Sequence, residues 1–261
     1  MLASAWKYRG FVAESIRRDL RTRYAGSVLG AAWQLLSPLA LIAIYTIVFS
    51  QVMRARLPGL DDQYAYAVFV CAGLLPWNMF AEILLRSQGM FVEHANLLKK
   101  SSFPRICLPA IVVGGAVANF LIVYGVFLAL LMLAGRSAGF ATLYAIVPIF
   151  LLVLIAAGIG VLLGLTHVFF RDVGQAIGIV LQLVFWLTPI IYPLTVLPSG
   201  YAAWIARNPL TPIFRSLQEV FVSGVVPSTP PLAPALAAGL AVCAVAWWAF
   251  RAQAPFVVDE L

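Results

Sequence analysis

Glu93-His94-Ala95-Asn96-Leu97-Leu98-Lys99-Lys100-Ser101-Ser102-Phe103-Pro104-Arg105 is a polar stretch caught between two long apolar runs. Its charge keeps it out of hydrocarbon. Residues 64–85 before it and 106–134 after it are each long enough to cross a bilayer. That alternation makes the chain a helical membrane protein and the stretch a connector at the membrane surface. Residues 88–102 read as a short helix lying along the membrane, with Phe91, Ala95 and Leu98 on one side. Pro104 ends it, because the residue before a proline disfavours helix.

Outward from the connector, the composition says the same. Of 261 residues, 63% are hydrophobic and 10% charged, with a mean hydropathy of +0.98. A soluble domain carries about 25% charged residues. Six apolar runs are expected to span: 29–53, 64–85, 106–134, 141–169, 174–196 and 232–250. The run 106–134 is long enough to tilt or project beyond the bilayer. Pro148 and several glycines interrupt the fourth, and Pro189 and Pro193 lie near the end of the fifth. The predicted fold is therefore all-α, one membrane domain over 1–261.

Before the first run, residues 1–28 form an interfacial segment. Its helix places Ala5, Tyr8, Val12, Ile16 and Leu20 on one face and Arg17, Arg18 and Arg21 away from it. A basic amphipathic helix lies in the plane of the interface; packing of the same stripe against a partner protein is the alternative. The first 24 residues contain no apolar core of seven, so no cleavable signal is expected.

The net charge of +7 is a matter of placement. With the N-terminus inside, the inner segments carry Lys7, Arg9, Arg17, Arg18, Arg21, Arg23, Arg86, Lys99, Lys100, Arg105, Arg171 and Arg251. The outer segments carry Arg54, Arg56, Arg136, Arg207 and Arg215. The excess of basic residues on one side puts both termini and residues 86–105 in the cytoplasm. Between the fifth and sixth runs, residues 197–231 are amphipathic and broken at Asn208-Pro209 and Thr211-Pro212. Two short helices re-entering the outer leaflet fit this pattern, which makes the segment a candidate gate; an amphipathic loop resting on lipid fits it equally.

The chemistry of an enzyme is missing from the sequence. No glycine is followed by lysine, so there is no phosphate-cradling G-x-x-x-x-G-K-[ST] loop. His94 and His167 stand apart, and Cys71, Cys107 and Cys243 sit in or beside apolar runs without pairing spacing. No catalytic, metal or cofactor-binding set is expected. Glu82 and Arg86 are one helical turn apart and positioned to pair. The spans hold no chain of buried acids for a proton relay, so energy for any transport would come from another chain.

Several stretches together resemble ABC-2 type exporter permeases of the polysaccharide, O-antigen and teichoic-acid branch. They are Arg18-Asp19, Arg21, Arg23-Tyr24, Ser27-Val28-Leu29-Gly30, Trp33 and Pro38; Gly73-Leu74-Leu75-Pro76-Trp77 with Phe80; Asn96-Leu97-Leu98-Lys99-Lys100 with Phe103-Pro104-Arg105 and Leu108-Pro109; Phe170-Arg171-Asp172-Val173; Pro189-Ile190-Ile191-Tyr192-Pro193; and Asn208-Pro209-Leu210-Thr211. The resemblance covers about residues 15–220 with the motifs in order, and is nearer to the O-antigen than to the capsule permeases. Ser101-Ser102 departs from it, where relatives carry a bulkier residue.

The resemblance implies an inner-membrane half-transporter. Two copies would form the channel, and two copies of a separate Mg-ATP-hydrolysing subunit would dock beneath. The cargo would be a glycan linked through pyrophosphate to a polyprenyl lipid. Asn96, Leu97, Leu98, Lys99, Lys100, Phe103, Pro104 and Arg105 would form the ATPase contact, with Leu97, Leu98 and Lys99 entering a groove on it. Arg18, Arg21 and Arg23 would meet the substrate head group, or else anionic lipid. Trp186, Tyr192, Tyr201, Trp204 and Pro209 would line the channel or gate, Trp186 and Tyr192 first among the aromatic candidates that also include Tyr45, Tyr64, Tyr66, Trp77 and Tyr124. Interfacial anchoring and helix packing compete for each of these rings. The rival classes are a capsule or teichoic-acid permease, a drug or lipid exporter, and a membrane enzyme acting on lipid-linked sugars. The short loop from Arg54 to Gln63 argues against the drug or lipid exporter, since those families usually carry a larger outer domain after the first span.

Overall fold

The computed structural model describes residues 8–23, 27, 29–52, 57–58, 62–99, 104–136, 139–227 and 232–253. All regular structure among them is helical. In chain order the helices are α1 (Arg9–Thr22), α2 (Trp33–Thr46, running on as a π-helical turn Ile47–Val52), α3 (Ala65–Glu93), α4 (Ala95–Leu98), α5 (Cys107–Leu133), α6 (Ala141–Tyr144), α7 (Ile146–Phe169), α8 (Val173–Trp186), α9 (Ser199–Ala206), α10 (Thr211–Ser223) and α11 (Ala233–Gln253). Five segments are long and apolar enough to cross a membrane: α2 with its π turn, α3, α5, α6 with α7, and α11.

The expected fifth run differs. The sequence suggested 174–196; the helix stops at Trp186, giving α8 only 14 residues, about 21 Å at 1.5 Å per residue. The chain then turns at Leu187–Tyr192, a stretch that contains Pro189 and is followed by Pro193. The connector differs too. Residues 88–93 do not begin a surface helix but continue α3, and a bend at His94 separates them from the single turn of α4. His94, at that bend, is half-buried and its Nδ1 lies 3.0 Å from the Met90 carbonyl.

α3 is the axis of the molecule. It is buried over most of its length, from Ala65 to Phe91. Without a hydrophobic drive between helices in lipid, close approach needs small residues, and α7 supplies them. A Cβ on Gly160 would stand 2.6 Å from Ser87 Oγ, and one on Gly164 2.7 Å from the Ser87 carbonyl. The far side of α7 receives α11 in the same way: Gly158 faces Val242 and Cys243, Gly239 faces Leu154, and the Cys243 thiol donates to the Leu154 carbonyl at 3.3 Å.

α5, at about 40 Å, exceeds a hydrocarbon core of about 30 Å. α1 crosses it near one end, where a Cβ on Gly114 would meet Ile16 Cδ1 at 2.5 Å and one on Gly115 would meet Asp19 Oδ2 at 2.9 Å. The stripe of Val12, Ile16 and Leu20 is half-buried and Arg17, Arg18 and Arg21 are exposed, as the periodicity predicts; Ala5 lies outside the described residues. α10 is a core helix. Ile213, Phe214, Leu217 and Val220 are fully buried, and it ends on Gly224 in the left-handed conformation, φ 68°.

Candidate functional site

Where α1 meets the bundle, four charges form one joint. Glu82, on α3, accepts from Arg23 at the end of α1 and from Arg86 one turn along at 3.3 Å. Asp19 of α1 forms an ion pair with Arg86 at 2.9 Å and accepts from Arg23 at 3.4 Å. Asn119 of α5 donates to the other Glu82 oxygen at 3.1 Å. Three elements are thereby tied at a single point, and Gly115 makes the room for it. The side chains are 21–29% exposed, enough desolvation to make each pairing matter. Burial opposes the charge on Arg23, but the hydrogen bond and charge of Glu82, with Asp19 behind them, outweigh it and hold the guanidinium above its ordinary value. The Glu82–Arg86 pair is the one expected from spacing; Asp19 and Arg23 joining it were not. Arg23 is engaged here, whereas Arg18 and Arg21 are exposed.

The connector is built back onto the protein. Leu98 is only 4% exposed and packs with Met90, Phe91, Leu108, Val112, Leu165, Ala249 and Phe250. This satellite core joins the ends of α3, α5, α7 and α11. Lys99 beside it is exposed. Pro104 and Arg105 are half-buried in the turn that starts α5, their carbonyls accepting from Cys107 at 2.9 Å and Leu108 at 3.3 Å. Lys100 and Phe103, and the side chains of Asn96 and Leu97, lie outside the described residues.

At the other end, the turn after α8 leaves a run of carbonyls that a helix would have paired. Side chains from elsewhere satisfy them. The Tyr192 hydroxyl donates to the Trp186 carbonyl at 2.6 Å. Asn208 donates to the Leu187 carbonyl at 3.2 Å and to Thr188 Oγ1 at 3.0 Å. Gln218 of α10 donates to the carbonyls of Pro189 at 3.0 Å and Ile190 at 2.9 Å. Tyr66 of α3 donates to the Ile191 carbonyl at 2.7 Å. Gly73 of α3 lets the turn come close: a Cβ there would stand 2.8 Å from the Ile190 carbonyl. Asn208 also accepts from the Leu210 amide at 3.0 Å, shaping the bend between α9 and α10 in which Pro209 sits half-buried.

The structure thus brings Trp186 and Tyr192 together through a hydrogen bond, while Tyr201 and Trp204 lie exposed on α9 at 69% and 58%. Trp77 is buried against Phe80, Phe185 and Phe214, and Tyr124 stacks on Phe120 and meets Phe221 edge-on. Sequence reasoning missed Gln218; its only signal was a side-chain amide, the second after Asn208, in the amphipathic stretch 197–231.

The family model for ABC-2 type transporters matches residues 12–222. An O-antigen export system permease protein of Klebsiella pneumoniae is 32% identical over 211 residues, 80% of this chain and 79% of its own length. The permease protein of the same description from Myxococcus xanthus is 30% identical over 251 residues, 95% of this chain and 93% of that one. A polysialic acid transport protein of Escherichia coli is 24% identical over 213 residues, 80% of each chain.

Proposed function

This chain belongs to the ABC-2 type transporter family, and on that premise we propose that it is the permease subunit of an exporter for a polyprenyl-pyrophosphate-linked polysaccharide of the O-antigen kind. The observation that carries the reading is likeness at 30–32% identity, over four-fifths or more of the chain, to relatives named as O-antigen export permeases. The polysialic acid relatives, at 24%, make a capsular polysaccharide the second reading. The chain sits in the cytoplasmic membrane with both termini inside. α8, continued by the turn at 187–192, makes a sixth crossing, and α9 with α10 re-enters the outer leaflet as a gate. The carbonyls capped by Asn208, Gln218 and Tyr66 support this: broken backbone at membrane depth is tolerated where protein surrounds it.

Two copies line the path, and two copies of a separate ATPase, holding Mg-ATP, dock on the connector. The geometry redistributes the roles there. Leu98 anchors α4 to the ends of four helices, so a push on the exposed surface at Lys99 reaches α3, α5, α7 and α11 together. Arg18 and Arg21 are free to meet the substrate pyrophosphate or anionic lipid, while Arg23 holds the joint.

The test is export itself. Cells lacking this chain should build the lipid-linked glycan and retain it on the cytoplasmic face, and supplying the chain with its ATPase should restore surface glycan. Normal surface glycan in the deletion strain, or glycan absent from both faces, would overturn the reading in favour of a different cargo or an enzymatic role.

A further inference from the structure

Beside the charged joint lies a 260 Å³ cavity between α2, α3 and α5. Gln34 and Ser37 of α2, Asn78 and Glu82 of α3, and Asn119 of α5 all line it. Five polar side chains around one small cavity between membrane-spanning helices is unusual. Part of the set is engaged: Gln34 donates to the Leu20 carbonyl at 2.9 Å, and Asn119 to Glu82. Ser37 and Asn78 are not. Both are exposed, and neither side chain enters a hydrogen bond among the described residues. An amide facing hydrocarbon without a partner is costly, so this face is built to meet water or a polar ligand.

The charge of the cavity wall selects the ligand. The carboxylate of Glu82 is balanced by Arg23 and Arg86, and Asp19 balances the remaining guanidinium charge. With two cations against two anions the wall is neutral, and a phosphate gains no free cation there. Amide and hydroxyl groups instead offer paired donors and acceptors, the chemistry that matches sugar hydroxyls. The volume lies below the roughly 300–1,000 Å³ of drug-sized sites, the scale of one sugar unit.

We propose that this cavity binds a single uncharged sugar unit of the exported chain, with Asn78 and Ser37 as its hydroxyl contacts, at the level where α1 joins the bundle. The inference rests on the export reading and deepens it. It assigns the glycan a recognition point separate from whatever holds its pyrophosphate.

The experiment uses vesicles containing the assembled complex with its ATPase. Asn78→Cys and Ser37→Cys are labelled with a charged, membrane-impermeant thiol reagent; Leu121→Cys, on the exposed apolar surface of α5, is the lipid-facing control. The wild-type chain gives the background from Cys71, Cys107 and Cys243. The expected result is labelling at Asn78→Cys or Ser37→Cys at least tenfold faster than at Leu121→Cys, slowed at least threefold by lipid-linked glycan and not by polyprenyl pyrophosphate alone. Labelling no faster than the control overturns the proposal, as does protection by the bare pyrophosphate lipid, or disulfide formation between two copies through Asn78→Cys that excludes the reagent. ATP-dependent glycan uptake by the wild-type vesicles is read in parallel. Its absence overturns the export reading and this proposal with it; uptake without protection overturns the sugar site alone.

Discussion

Gln218 holds the Ile190 carbonyl at 2.9 Å across 28 residues of chain, and the same amide nitrogen holds Pro189. The turn that ends α8 is therefore fastened to α10 by a side chain that is itself 3% exposed. Gln218→Leu keeps the volume and removes the donor, leaving two buried carbonyls unpaired at about 1–3 kcal/mol each. Thermal unfolding of the purified protein should show a Tm lower by several degrees. A Leu variant with the wild-type Tm would mean that the turn does not depend on this amide.

The Arg23–Glu82 pair predicts coupling between α1 and α3. Arg23→Gln and Glu82→Gln should each destabilise by about 1–3 kcal/mol, since each takes one charge out of a half-buried joint of two cations and two anions. The double variant should lose less than the sum. Strict additivity in that double-mutant cycle would show the two residues to be independent.

Leu98 and Lys99 should separate by what they break. Leu98→Ala removes a side chain from a closed apolar cluster and should cost about 2–5 kcal/mol of stability. Lys99→Glu alters only an exposed charge; its Tm should stay within a degree of wild type while the ATPase ceases to co-purify. Were Leu98→Ala to keep full stability and lose only the ATPase, Leu98 would be a contact rather than an anchor.

The Asp62–Arg136 pair, outside the helices, sets a pH dependence. Burial alone would raise the Asp62 carboxyl, but the Arg136 hydrogen bond and charge, with the amides of Tyr64 and Ala65, hold it below its ordinary range. A carboxylate depressed by folding adds stability above its unfolded value, about 3.9, and loses it as pH falls through the lower folded value. Wild type should therefore be more stable than Arg136→Gln at neutral pH, and the gap should close in acid below about pH 4. A gap that persists unchanged at pH 2 would place its origin in packing rather than charge.

The membrane character, the existence of most spans and the site of the connector were determined by the sequence alone, because hydropathy is a local sum over about 20 residues and needs no partner. The Glu82–Arg86 pair was legible for the same reason: four residues on one helix are neighbours in any fold. What joins distant segments was not. Arg23 reaches Glu82 across 59 residues, and Tyr66 reaches Ile191 across 125. Pro189 and Pro193 signalled a break after the fifth run, but α8 ends at Trp186 because Asn208, Gln218 and Tyr66 accommodate the freed carbonyls there. Leu98 shows the limit most plainly. In sequence it is an apolar residue in a polar connector, equally suited to a partner's groove or to the protein's own core. Only the convergence of α3, α5, α7 and α11 beneath it decided for the core, since burial belongs to the surroundings that tertiary packing supplies and not to the residue.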